Sequence, residues 1–146
     1  MKVLLKIFIG VIIIMFSLIG CIGEEYDFTP PSVTLFNSNI ILEEANIDWH
    51  SDKEYKIETE DILSLAKKQK QTFIAAGQKE EISLDSEDFA VNKLSVSVWQ
   101  NDQKIDLELQ DRSFYFPKET GEYVIEVNLH TDSGFVQYVG NIVLVD

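Results

Sequence analysis

The residue best suited to covalent chemistry is Cys21, the only cysteine in a chain of 146 residues. Its thiolate is a strong nucleophile and can accept a lipid group as a thioether. Without a second cysteine the chain forms no intrachain disulfide, so core packing alone must stabilise the folded part. Cys21 therefore points to a covalent modification and not to a structural cross-link.

An apolar segment surrounds Cys21. Lys2 and Lys6 form a short basic start, and residues 7–23 carry no charge over 17 positions. That length is at the lower limit for a membrane-spanning helix and suits the hydrophobic region of a signal peptide. Leu18 is a large aliphatic residue three positions before Cys21, and Gly20 is a small residue directly before it.

The tetrad Leu18-Ile19-Gly20-Cys21 resembles the lipobox of bacterial lipoproteins, in which the cysteine receives diacylglycerol and becomes the new amino terminus. The resemblance implies a signal peptide over residues 1–20, a lipidated Cys21 with a linker through residue 32, and a domain over residues 33–146. It also implies palmitate-type anchoring at the extracytoplasmic face of a cell membrane, since two or three acyl chains anchor stably. The alternative is an accidental cysteine within an uncleaved anchor helix.

Charge narrows the classes of partner. Removing residues 1–20 leaves 126 residues, one domain by size. Loss of Lys2 and Lys6 leaves 10 basic against 25 acidic side chains, a formal charge of −15. Such a charge opposes binding to nucleic acid and to anionic lipid. Arg112 is the only arginine, so a site built on bidentate arginine clamps for phosphate or carboxylate is not expected.

Few other residues offer catalytic or metal chemistry. His50 and His130 are the only histidines, and no Gly-x-Ser-x-Gly motif is present. Residues 85–88, Asp-Ser-Glu-Asp, could supply oxygen ligands for calcium but lack the spacing and glycine of an EF-hand loop. We therefore predict no enzyme activity, no cofactor and no metal, with a small cell-wall hydrolase as the less favoured alternative.

Trp99 is the strongest candidate for partner contact. Leu94, Val96 and Val98 alternate with Ser95, Ser97 and Trp99, which is the period of a strand with one face in the core. Trp99, Ser95 and Ser97 are thus predicted to lie on the opposite face, as a possible partner-binding surface. The alternatives for Trp99 are packing in a second layer and cover by a helix.

Period-two patterns and turn residues predict strands along the rest of the chain. The expected strands include residues 33–36, 40–42, 47–50, 55–58, 72–75, 80–84, 94–99, 105–109, 114–116, 123–129 and 135–145. Between them, residues 59–71 predict one short helix with Thr59 as its N-cap, or else an irregular crossover.

Gly121-Glu122-Tyr123 resembles the tyrosine corner of immunoglobulin-like sandwiches. With turns every 8–12 residues, it predicts a mainly β fold: a single antiparallel immunoglobulin-like β-sandwich after the signal-peptide helix. The early Pro30-Pro31, the early Trp49 and the stretch from Phe116 to Tyr123 also resemble small lipoproteins of Bacillus-type Gram-positive bacteria. That resemblance implies no activity.

The expected function is therefore a membrane-anchored extracytoplasmic lipoprotein acting as a non-enzymatic binding or accessory module. Its expected partners are membrane lipid, through the acylated Cys21, and an unidentified cell-surface protein, with no nucleic acid. The alternative is a domain that captures a sugar or a metal.

Overall fold

A computed structural model describes residues 29–51 and 53–146. The predicted signal peptide, the tetrad ending at Cys21 and most of the predicted linker lie outside these residues. Within the described ranges, no helix is long and apolar enough to cross a membrane.

The described chain is mainly β, with one short helix. The helix is α1 (Ile62–Lys67). The strands are β1 (Val33–Leu35), β2 (Ile40–Ile41), β3 (Glu43–His50), β4 (Glu54–Ile57), β5 (Thr72–Ala75), β6 (Lys79–Leu84), β7 (Val91–Gln100), β8 (Gln103–Leu107), β9 (Ser113–Tyr115), β10 (Gly121–Thr131) and β11 (Gly134–Val145).

These strands form two sheets. The smaller sheet has the order β2-β1-β6-β9, and the larger has the order β4-β3-β11-β10-β7-β8. Their inward side chains form one shared core, which includes Val33 and Ile82 of the smaller sheet and Val98 and Ile125 of the larger. Trp49 belongs to this core and meets Phe89 edge-on, with ring centroids 5.4 Å apart. The arrangement is therefore sandwich-like.

β5 is the exception to the predicted antiparallel arrangement. It pairs in parallel with the second part of β11, Ile142–Val145. The first part of β11, Gly134–Val139, pairs with β3 instead. Parallel neighbours need a long connection, and here β6 to β10 lie between β5 and β11 along the chain. α1 lies in a separate connection, from β4 to β5.

The helix begins later than predicted. Asp61, not Thr59, is its N-cap and accepts a hydrogen bond from the Ser64 N–H at 3.0 Å. The Ser64 hydroxyl also donates to Asp61, and these bonds hold the pKa of that carboxyl below its ordinary value. Thr59 instead donates its hydroxyl to the Ala45 carbonyl at 2.5 Å, so it ties the chain to β3 before the helix starts.

The predicted tyrosine corner is confirmed as a contact. Tyr123 is buried at the start of β10, and its hydroxyl donates to the Glu119 carbonyl at 3.0 Å. Burial, with a smaller contribution from the Glu119 charge, raises the pKa of Tyr123. Gly121 opens this strand at φ 145°, a backbone conformation that L side chains rarely adopt. The corner therefore favours glycine at position 121 and buries the tyrosine two residues later.

Candidate binding groove

Trp99 lies on the outer face of the larger sheet, as its alternation with Val98 predicts. Strand register pairs it with Val124 of β10 on one side and Lys104 of β8 on the other. Val124 is in turn paired with Asn141 of β11. These four residues form a row across the sheet, and α1 covers part of this face.

The indole of Trp99 is only partly exposed. It packs on the small apolar cluster beneath α1, which includes Ala66 of the helix and Val124 of the sheet. Its Nε1–H donates to Glu126 Oε1 at 3.2 Å, and Lys104 Nζ lies 5.8 Å from the ring centroid. Cover by a helix, one of the alternatives for this residue, thus applies to part of the ring, and these contacts fix its orientation.

The predicted exposure of Ser97 is wrong. Ser97 is 3% exposed, and its hydroxyl donates to Asp106 Oδ1 at 2.8 Å. Asp106 of β8 and Glu126 of β10 are its register partners on either side. Ser95, beside Asn128 of β10, is half-buried. Longer polar side chains on the neighbouring strands thus flank these serines, which do not form an open platform beside Trp99.

Glu126 supports the indole from below. It is 2% exposed, and its second oxygen accepts from Asn128 Nδ2 at 2.7 Å and pairs with Lys104 Nζ at 3.0 Å. A buried carboxylate is tolerated only when it is paired and hydrogen-bonded, and Glu126 has three such partners with Trp99 included. Alternation with Ile125 and Val127 predicts that Glu126 lies on the outer face but does not predict that it is buried.

A groove of about 670 Å³ opens beside Trp99 where α1 ends. The end of α1 and the chain leading to β5 form one wall, the β7–β8 turn forms the other, and β10 and β11 form the floor. Five amide side chains contribute to the lining: Gln69, Gln71, Gln100, Asn101 and Asn141. Sequence alternation predicts only Trp99 as a contact residue of this groove, because Gln69, Gln71 and Asn141 come from segments far from Trp99 along the chain.

Hydrogen bonds hold the helix wall to the sheet. Asn141 Nδ2 donates to the carbonyls of Lys67 at 3.4 Å and Gln69 at 3.1 Å. Gln71 Nε2 donates to Glu122 Oε1 at 3.1 Å. These bonds use the amide nitrogens, so the side-chain carbonyl oxygens of Asn141 and Gln71 remain as potential acceptors for a ligand.

The other sequence candidates lie outside the groove. His50 is exposed on β3, with Nε2 2.7 Å from Asp48 and Nδ1 3.7 Å from Glu54. His130 lies against Phe135, with ring centroids 4.7 Å apart. Neither histidine is among the groove-lining residues.

The acidic loop has structural partners. Asp85 Oδ1 accepts a hydrogen bond from the Ser32 N–H at 2.7 Å, and Glu87 forms an ion pair with Arg112. In residues 29–51 and 53–146, no group of three or more His, Cys, Asp or Glu side chains is arranged to hold a metal ion.

Comparison with known proteins adds no assignment. No family model matches the chain, and no curated protein or solved structure matches it either. The site must therefore be interpreted from its own chemistry.

Proposed function

We propose that the protein is a lipid-anchored extracytoplasmic binding module whose contact surface is the groove beside Trp99. The single observation that carries the binding role is the groove itself, where a fixed, partly exposed indole adjoins a lining rich in amide side chains. Concave sites that combine apolar surface with a few oriented polar groups are the usual places of ligand contact. We also propose that the sandwich is immunoglobulin-like, on the support of the Tyr123 corner.

The anchor rests on the sequence around Cys21. The described residues start at position 29, eight positions after Cys21. The Tyr138 hydroxyl donates to the Pro31 carbonyl at 2.5 Å, and this bond attaches residue 31 to the larger sheet. Pro31 follows Cys21 by ten positions. Ten positions span at most about 35 Å when extended, so an acylated Cys21 would keep the domain close to the membrane.

Binding is a better interpretation than turnover because amides make up most of the polar lining of the groove. Amide side chains bind and orient a ligand through hydrogen bonds. Of the two carboxylates in the lining, Asp102 and Glu122, Glu122 already accepts a hydrogen bond from Gln71, whereas general acid–base catalysis needs a titratable group placed on the reacting atom. His50 does meet two carboxylates, but on an exposed surface of β3 and outside the groove. A small hydrolase remains the rival, and His50→Ala would abolish its turnover.

The anchor is tested by Cys21→Ser in cells labelled with palmitate. We expect loss of the label and retention of the N-terminal segment, because a serine hydroxyl cannot form the thioether. A processed chain that still carries palmitate in this variant would overturn the lipoprotein assignment.

The binding role is tested by chemical crosslinking on intact cells. Trp99→Phe and Gln71→Ala should each weaken capture of the native partner, by up to about 2 kcal/mol for an aromatic contact at the centre of the site. Tyr115→Ala is the matched control, because Tyr115 is an aromatic residue 63% exposed on β9, in the other sheet. Equal capture by all three variants would contradict the proposal.

A further inference from the structure

The groove has the size and polarity of a site for a small hydroxylated ligand. Its volume of about 670 Å³ lies within the roughly 300–1,000 Å³ typical of ligand pockets. Drug-like ligands favour mostly apolar linings, but here five amide side chains and only a few apolar groups face the space. The ligand must therefore satisfy many hydrogen bonds at once.

Three of the lining amides present free acceptor oxygens. Asn141 donates its amide hydrogens to the wall, Gln71 donates to Glu122 on the floor strand β10, and Gln69 donates to Glu43 on β3. The oxygens that these bonds leave over would accept hydrogen bonds from a ligand. A ligand rich in hydroxyl groups supplies the matching donors.

Charge argues against an anionic ligand. The lining contains one cation, Lys67, against the two carboxylates Asp102 and Glu122. Lys104, the other lysine near Trp99, is already paired with Glu126. Because the whole chain is also strongly acidic, a phosphate-bearing or carboxylate-bearing polymer would be repelled.

The indole supplies the apolar part of the contact. Trp99 is held by Glu126 and by packing beneath α1, so little side-chain entropy is lost when a ligand lies against it. The C–H face of a sugar ring is apolar and carries partial positive charge, which suits the electron-rich surface of an aromatic ring.

A peptide strand fits less well. The floor strand β10 is hydrogen-bonded to β7 on one side and to β11 on the other, so it has no open edge for strand addition at the groove. We therefore infer that the groove binds a neutral oligosaccharide. This inference rests on the proposed binding function and replaces the expected protein partner with a glycan.

The test is titration of the purified full-length protein with a panel of neutral trisaccharides containing glucose, galactose or N-acetylglucosamine in α or β linkage. Intrinsic tryptophan fluorescence reports on the groove, because Trp49 is buried in the core. We expect at least one trisaccharide to saturate the signal at a Kd of about 10 µM to 1 mM, ordinary for a small polar ligand. Calorimetry, which does not depend on the indole, should show that Trp99→Phe, Gln71→Ala and Glu122→Gln each weaken binding tenfold or more. Tyr115→Ala should bind as the wild type does.

Three results would overturn the inference. If no trisaccharide of the panel binds while capture on cells still depends on Trp99 and Gln71, the groove is a binding site for another class of partner. If a trisaccharide binds but the affinity is unchanged in Gln71→Ala and Glu122→Gln, the sugar site lies elsewhere on the protein. If neither the panel nor the cellular partner depends on the groove, the proposed function fails together with the inference.

Discussion

Glu80 offers the sharpest test of how the smaller sheet is held together. It is fully buried on β6, and its two oxygens accept four hydrogen bonds. Oε1 accepts from the N–H groups of Asn37 at 2.6 Å and Glu81 at 3.0 Å. Oε2 accepts from the Ser38 N–H at 3.1 Å and the Ser38 hydroxyl at 2.5 Å. This one carboxylate therefore fixes the turn between β1 and β2.

Glu80→Gln replaces one acceptor oxygen with an amide nitrogen of similar size. If the remaining oxygen keeps Asn37 and Glu81, both Ser38 donors lose their acceptor. The Ser38 hydroxyl can rotate and accept from the new amide, but its backbone N–H cannot. An orphaned buried donor costs roughly 1–3 kcal/mol, and the half-buried Ser38 N–H lies toward the lower end of that range. Loss of the charge-assisted bonds adds to this cost. We expect a destabilisation of about 2–4 kcal/mol.

The assay is urea denaturation followed by far-UV circular dichroism, with the free energy of unfolding extrapolated to water. Glu81→Gln is the control, because it removes the same charge from the exposed neighbouring position. Its effect should stay within about 0.5 kcal/mol. Equal stabilities for the two variants would refute the role given to Glu80.

Three further predictions concern other parts of the fold. Tyr123→Phe should cost about 1 kcal/mol and Tyr123→Ala roughly 3–5 kcal/mol by denaturation, and an unchanged midpoint for the alanine variant would contradict burial of this side chain. Burial, and then the Asp85 charge, raise the pKa of Glu44, so the stability from its protonated form is complete below its ordinary pKa of 4.5 and is lost as the pH rises through the raised value. The melting temperature of Glu44→Gln should therefore be higher than that of the wild type at neutral pH and equal to it at low pH. The difference between the exposed control Glu108→Gln and the wild type should not change with pH in this way. Calcium should not raise the melting temperature, and a rise that Asp85→Asn with Asp88→Asn abolishes would reveal a metal site.

The face of Trp99 could be predicted from sequence, but what lies over that face could not. Alternation along β7 is local and assigns side chains to one face or the other. Burial of Ser97 depends on Asp106 and Glu126, which reach it from neighbouring strands through a register that the sequence does not show. The position of Gln71 and Asn141 in the groove could not be predicted for the same reason, since these residues come together only when β5 pairs with β11.

The helix cap shows a second limit of local reasoning. Thr59 and Asp61 are both good N-cap residues, and residue type alone does not choose between them. The choice is made by β3, because Thr59 bonds to the backbone of Ala45 and to the side chain of Asn46. Glu80 carried a usable signal, since it alternates in phase with the inward Ile82, and a carboxylate on a core face implies a local set of donors.

The most direct test of the central claim is site-specific photo-crosslinking on intact cells. A diazirine-bearing residue is placed at Lys67, exposed at the end of α1 on the groove wall, or at Tyr115, exposed on the other sheet. If the groove is the binding surface, the probe at position 67 will form an adduct with the native partner and the probe at position 115 will not. Adducts from position 115 at equal or greater yield, with none from position 67, would contradict the account.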